Sequence, residues 1–106
     1  MDAFLSEVRA AITQARCIFH GNKVKNRNTL TKLGFTLDDM YDEIYTLTYK
    51  DYLYGPEQDR RPDHGTKNIW VFKKFVKGML VYIKLEIIII AKKTLVVLSF
   101  HEDNAA

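Results

Sequence analysis

The sequence predicts an α+β fold, with N-terminal helices packed on a twisted antiparallel sheet whose C-terminal part is a three-strand meander. Three observations carry this prediction. Apolar residues recur at helical spacing through the first half of the chain. The stretch IWVFKKFVKGMLVYIKLEIIIIAKKTLVVLSFH, from Ile69 to His101, is rich in β-branched and aromatic residues and broken by two short turn signals. A length of 106 residues suits one domain with one modest core, so residues 1–106 are read as a single unit.

The first helix is expected to start at Asp2, which is placed to cap it. Leu5, Val8, Ile12 and Ala15 form its apolar stripe. Its end is expected between Cys17 and His20, because Gly21-Asn22 is a stop-and-turn signal. Residues 21–29, GNKVKNRNT, are polar and basic and read as a solvated loop, with a phosphate-contacting segment as the functional alternative. A short helix over Thr29–Leu33 closes at Gly34. Thr36, with Asp39 three residues on, resembles a capping box. Leu37, Met40, Tyr41, Ile44 and Leu47 then define an amphipathic helix over 37–47. Thr48 restarts a turn of helix through YKDYLY, ended by Gly55-Pro56. Residues 55–68 hold both prolines and read as one long loop, of a length that is functional or disordered in most compact domains.

Three strands follow: Ile69–Val76, Met79–Ile90 and Leu95–His101. Lys77-Gly78 and Ala91–Thr94 form the turns, and the last residues read as a frayed tail. Tight hairpins set Val76 against Met79 and Ile90 against Leu95. Side chains then alternate between faces. One face gathers Trp70, Phe72, Ile83, Leu85, Ile87, Ile89, Val96, Leu98 and Phe100 and is expected to meet the helices. The other carries Lys73 opposite Tyr82, Lys84 opposite His101, and Glu86 opposite Ser99. Its far end (Ile88, Ile90, Leu95, Val97) is apolar and needs a cover, from the helical layer or a partner.

Composition bounds the function. The chain is 47% hydrophobic and 27% charged, with a net charge of +3 and a pI near 9.0, which is compatible with an anionic partner. The single cysteine, Cys17, has no partner for an internal disulfide and reads as a buried structural thiol in a reducing compartment. The acidic start lacks the features of a signal peptide, and the apolar run Leu85–Ala91 is too short to span a bilayer, so a soluble cytoplasmic protein is expected. There is no CxxC, P-loop, GxGxxG or GxSxG motif. Asp38 and Asp39 sit at a helix start, where acids favour the dipole, rather than as a glycosidase pair. No cofactor or metal is expected.

Lys73, Tyr82, Lys84 and His101 are the residue types that cleave RNA without a metal. A base is needed near the 2′-OH, cations around the phosphoryl oxygens, and an acid at the leaving oxygen. His101 suits acid or base work, because the reference pKa of a histidine side chain lies near neutrality. The lysines suit the developing charge, and Tyr82 suits proton transfer or base stacking. Such residues on an outer sheet face are more often solvated surface. His20 and His64 read as polar positions at a helix end and in a loop, with a phosphate contact open to His64.

The segments IWVF, VYIKL and SFH, with LGFTLDDMYDEIYTLTYKDYLYGP upstream, resemble the MqsR family of type II toxin–antitoxin toxins. The likeness covers roughly residues 5–102. It implies a RelE-like fold and a metal-independent, ribosome-independent mRNA endoribonuclease cutting single-stranded mRNA in a short sequence context. It also implies a cognate DNA-binding antitoxin. Tyr82 and Lys84 match the family's YxK segment, and His101 falls where members carry lysine or histidine. Catalytic candidates are therefore Tyr82, Lys84 and His101. Candidate RNA contacts are Lys73, Arg60, Arg61, His64 and Tyr54. Tyr54 stands in the region where some members place a catalytic-type lysine, and Val71 where some have glutamine. The alternative function is a non-catalytic RNA-binding or regulatory module. A third reading is an interaction domain that uses the apolar end of the sheet.

Overall fold

A computed structural model describes residues 1–58 and 68–103. In chain order these form α1 (Asp2–Thr13), β1 (Cys17–Phe19), α2 (Val24–Leu33), α3 (Leu37–Tyr45), a 3₁₀ turn (Tyr49–Asp51), β2 (Tyr52–Gln58), β3 (Asn68–Val76), β4 (Met79–Ile90) and β5 (Lys92–Glu102). The strands make one sheet in the order β1-β5-β4-β3-β2. The meander β3-β4-β5 is antiparallel as expected, and β2 adds antiparallel to β3. The sheet is mixed, because β1 pairs parallel with β5. The fold is α+β.

The main core lies between the helices and one sheet face. Phe4, Leu5 and Val8 of α1 and Met40 and Ile44 of α3 meet Phe72, Ile83, Leu85, Val97 and Phe100. The capping box of α3 is formed. Asp39 N donates to Thr36 Oγ1 at 3.2 Å, and Thr36 N donates to Asp39 Oδ2 at 2.9 Å. These bonds hold the Asp39 carboxyl below its usual range, the backbone donor contributing most.

Several sequence expectations are corrected. The cap of α1 is Met1, whose carbonyl accepts from Leu5 N, and Asp2 lies in the first turn without a side-chain capping bond. The helix stops at Thr13 because Ala15 turns the backbone to φ 56° and Cys17–Phe19 leave to pair with Leu95–Val97. Ile18 and Phe19 are residue types that favour a strand over another helical turn. Residues 24–33 are one helix rather than a loop followed by a short helix, although Gly34 ends it at φ 69° as expected. Its buried face is partly polar, Asn26 and Thr29, so apolar periodicity did not mark it. Thr48 does start a single turn, but Tyr52–Tyr54 then leave as strand, and Gly55-Pro56 lies inside β2 instead of ending a helix. A Cβ at Gly55 would lie 2.6 Å from the Ile69 carbonyl oxygen, so the close approach of β2 to β3 needs glycine there.

The register of the last hairpin also differs. Val76 faces Met79 as expected. Ile90 faces Lys92, not Leu95, because Ala91 alone turns the chain at φ 61°. Lys92 and Lys93 extend the strand with their charges exposed. A register shift between Lys84/Ser99 and Leu85/Val97 then inserts Leu98 as an extra residue in β5. On the turn side of this bulge the offset from the expected pairing is odd, so faces exchange. Leu95 and Val97 enter the main core, while Val96 and Leu98 join Ile69 and Val71 in a second buried cluster on the opposite face. Beyond the bulge the offset is even. His101 keeps its expected face but stands opposite Tyr82 rather than Lys84.

Candidate functional site

The bulge gives β5 two differently supported halves. From Leu95 to Val97 its outer edge is paired with β1. Past the bulge the ladder to β1 has ended, and α2 takes its place with side chains. Buried Asn26 donates from Nδ2 to the carbonyls of Leu98 (3.2 Å) and His20 (3.0 Å), and its Oδ1 accepts from Phe100 N (3.1 Å). One amide thus imitates the donor and acceptor of a neighbouring strand. Thr29 Oγ1, one turn later, accepts from Glu102 N at 2.8 Å, and Lys23 Nζ donates to Leu98 O at 3.0 Å. These bonds satisfy backbone groups that would otherwise be buried unpaired. They also fix the residues on either side of His101.

On the face away from the helices, Lys73, Tyr82 and His101 form one row across β3, β4 and β5. The Tyr82 and His101 rings stack, with centroids 5.2 Å apart and planes 22° from parallel. Tyr54 reaches the row from β2, and its hydroxyl lies 3.0 Å from that of Tyr82. Tyr54 was expected only as an RNA contact, and its link to Tyr82 needed the β2–β3 register. His101 Nδ1 lies 3.1 Å from the Glu102 carbonyl oxygen. A carbonyl has no proton to give, so Nδ1 donates. The neutral ring then carries its lone pair on Nε2.

Lys84 is on the same face in the adjacent row, opposite Val71 and Ser99. Lys73 Nζ is held by Asp103 Oδ2 at 2.6 Å, so it is not a bare cation, and the contact ties the chain after β5 to the site. By sequence the segment after His101 reads as a tail, and nothing local marks Asp103 as a partner of Lys73. Arg60, Arg61 and His64 lie outside the described residues. A depression of about 340 Å³ opens beside the row, between one face of α2 (Lys25, Asn28, Thr29, Lys32) and the end of β5 (His101, Glu102, Asp103). Among the described residues, no group of three or more His, Cys, Asp or Glu side chains is placed to hold a metal ion.

Chemically, the row offers a histidine nitrogen with a directed lone pair, a linked pair of phenol hydroxyls and lysine ammonium groups on an accessible sheet face. Residues 3–102 match the family described as motility quorum-sensing regulator, toxin of MqsA. The chain belongs to the MqsR toxin family. It is therefore a toxin of a toxin–antitoxin system. Curated proteins include no match to the chain. The cluster named from the MqsR-like segments thus falls on one sheet face of an MqsR-family fold, with Tyr82 at its centre. Among the described residues of this toxin, no helix is long and apolar enough to cross a membrane.

Proposed function

We propose that this MqsR-family toxin is an mRNA endoribonuclease that cuts single-stranded RNA without needing a metal or the ribosome. The observation that supports this most is the Tyr82–His101 stack, joined to Tyr54 and flanked by Lys73 and Lys84. His101 Nε2 takes the proton from the ribose 2′-OH. The 2′-oxygen forms a bond to phosphorus while the bond from phosphorus to the 5′-oxygen breaks. The Tyr82 hydroxyl gives its proton to that leaving oxygen and recovers one through the Tyr54 hydroxyl or solvent. The products are a 2′,3′-cyclic phosphate and a 5′-hydroxyl. Lys84, with Lys73, stabilises charge on the phosphoryl oxygens. mRNA as target places the action in the cytoplasm. A cognate DNA-binding antitoxin, MqsA-like, is the partner that restrains it.

The test uses purified toxin freed from antitoxin, naked RNA and a chelator. Cutting with cyclic-phosphate ends is expected, lowered about 100-fold or more in His101→Ala and Tyr82→Phe. Undiminished cutting in both variants, or a requirement for added metal, overturns the mechanism. RNA binding with no cutting replaces it with the non-catalytic reading.

A further inference from the structure

The depression between α2 and the end of β5 has a composition that the cleavage chemistry does not use. Lys25, Asn28 and Lys32 are spaced three and four residues apart, so they share one face of the helix and form one wall. Glu102 and Asp103 form the other, and His101 belongs both to this wall and to the stacked row. A site built for a phosphate would carry excess positive charge. Here two lysines meet two carboxylates, and the carboxylates are engaged: Glu102 by Lys32 at 2.7 Å and Asp103 by Lys73 at 2.6 Å. The lining is therefore close to neutral and rich in fixed donors and acceptors. Lys32 orients one Glu102 oxygen, and a carboxylate has acceptor sites for a further donor. Asn28 adds an amide that both donates and accepts.

The geometry points to a base-reading subsite. We assign this groove to the nucleotide next to the scissile phosphate, with Asn28 and Glu102 on the base edge and a preference for bases bearing an exocyclic amino group over uracil. This rests on the nuclease reading above. Unstacked bases of single-stranded RNA are read on their edges by such groups, and a carboxylate acceptor favours an amino donor. Uracil presents carbonyls on both sides of its one N–H, and those repel a carboxylate. The groove starts at His101, so a strand with its phosphate at the Tyr82–His101 row runs into it directly.

The experiment is cutting of a single-stranded RNA pool randomised on both sides of the cut, with the ends sequenced. Wild type is expected to disfavour uracil at one neighbouring position by roughly 5- to 100-fold. Asn28→Ala flattens that preference. Glu102→Gln, whose amide can donate to a carbonyl, admits uracil. Both positions lie at the surface of the groove, and thermal melts of the variants check that they fold. A wild-type profile indifferent to the neighbouring base, or a preference unchanged in both variants, overturns the assignment. If wild type cuts nothing, the nuclease reading fails separately. The groove is then judged by equilibrium binding of oligo-A, oligo-C and oligo-U at low salt. It stands if oligo-U binds weakest and gains in Glu102→Gln, and it falls if the three bind alike.

Discussion

The two halves of β5 are held by different means. Leu95–Val97 is a core strand: its edge is a backbone ladder to β1, and Leu95 and Val97 are fully buried under the helices. Leu98–Glu102 carries His101, and its edge is held by the side chains of Asn26, Thr29 and Lys23. A ladder depends little on which residues form it. A side-chain replacement for a strand depends on each one. Stability and site geometry are thus written into separate segments of a single strand, with the bulge as the boundary.

Breaking the first half should cost the most stability and the least site geometry. Leu95→Ala is expected to lose about 3 kcal/mol in urea unfolding, from burial and cavity together. RNA cutting per folded molecule should stay within about twofold of wild type; a collapse of specific activity would show that the halves are not separable. Asn26→Ala should cost about 2 kcal/mol, because Phe100 N–H loses its partner in a buried place and Leu98 C=O keeps only Lys23. Unlike Leu95→Ala, it should also depress cutting by the folded protein by about tenfold or more, through His101. Normal cutting at full folding would remove Asn26 from the support of the site.

Smaller changes sharpen the boundary. Thr29→Val keeps the shape but removes the acceptor of Glu102 N–H, at about 1 kcal/mol. Amide exchange should rise at Glu102 and stay unchanged at Cys17–Phe19; equal changes at both ends would contradict a boundary at the bulge. The mildest perturbation is alkaline. Burial pushes the Cys17 thiol above its ordinary 9.0, and it pushes Tyr41 up to about 12, with a smaller contribution from charge on Cys17. Both groups are acids whose folded pKa lies above the unfolded one. Their stabilising effect is thus complete below pH 9 and lost as pH rises toward 12. The unfolding midpoint should fall over that range, and Cys17→Ala should delay the onset. A midpoint flat to pH 11 in both proteins would refute the role of these groups.

Much of this was legible before the structure. The capping box at Thr36, the amphipathic face of α3 and the β3–β4 register follow from local chemistry and period, and Lys73 opposite Tyr82 comes with that register. The last hairpin was misread because Lys92, Lys93 and Thr94 look like a turn, whereas Ala91 makes it alone. Only the second half of α2, Thr29–Leu33 with its Gly34 stop, is legible in the sequence, because Asn26 and Thr29 are buried to bond a strand more than 70 residues away. The trace of its first turns is the spacing of Asn26, Thr29 and Leu33, which is helical if polar side chains are allowed to face inward.

Local composition and periodicity, together with the family-like segments, are enough to specify an α+β toxin fold and to choose Tyr82, Lys84 and His101 as one-face candidates, since alternation and capping act within a few residues. The partner of each residue in that face was settled by long-range packing. The one-residue turn at Ala91 and the bulge at Leu98 together moved His101 from Lys84 onto Tyr82, α2 replaced a strand, and Tyr54 came in from β2. Each of those depends on backbone groups finding partners far along the chain, and no local pattern encodes which partner that will be.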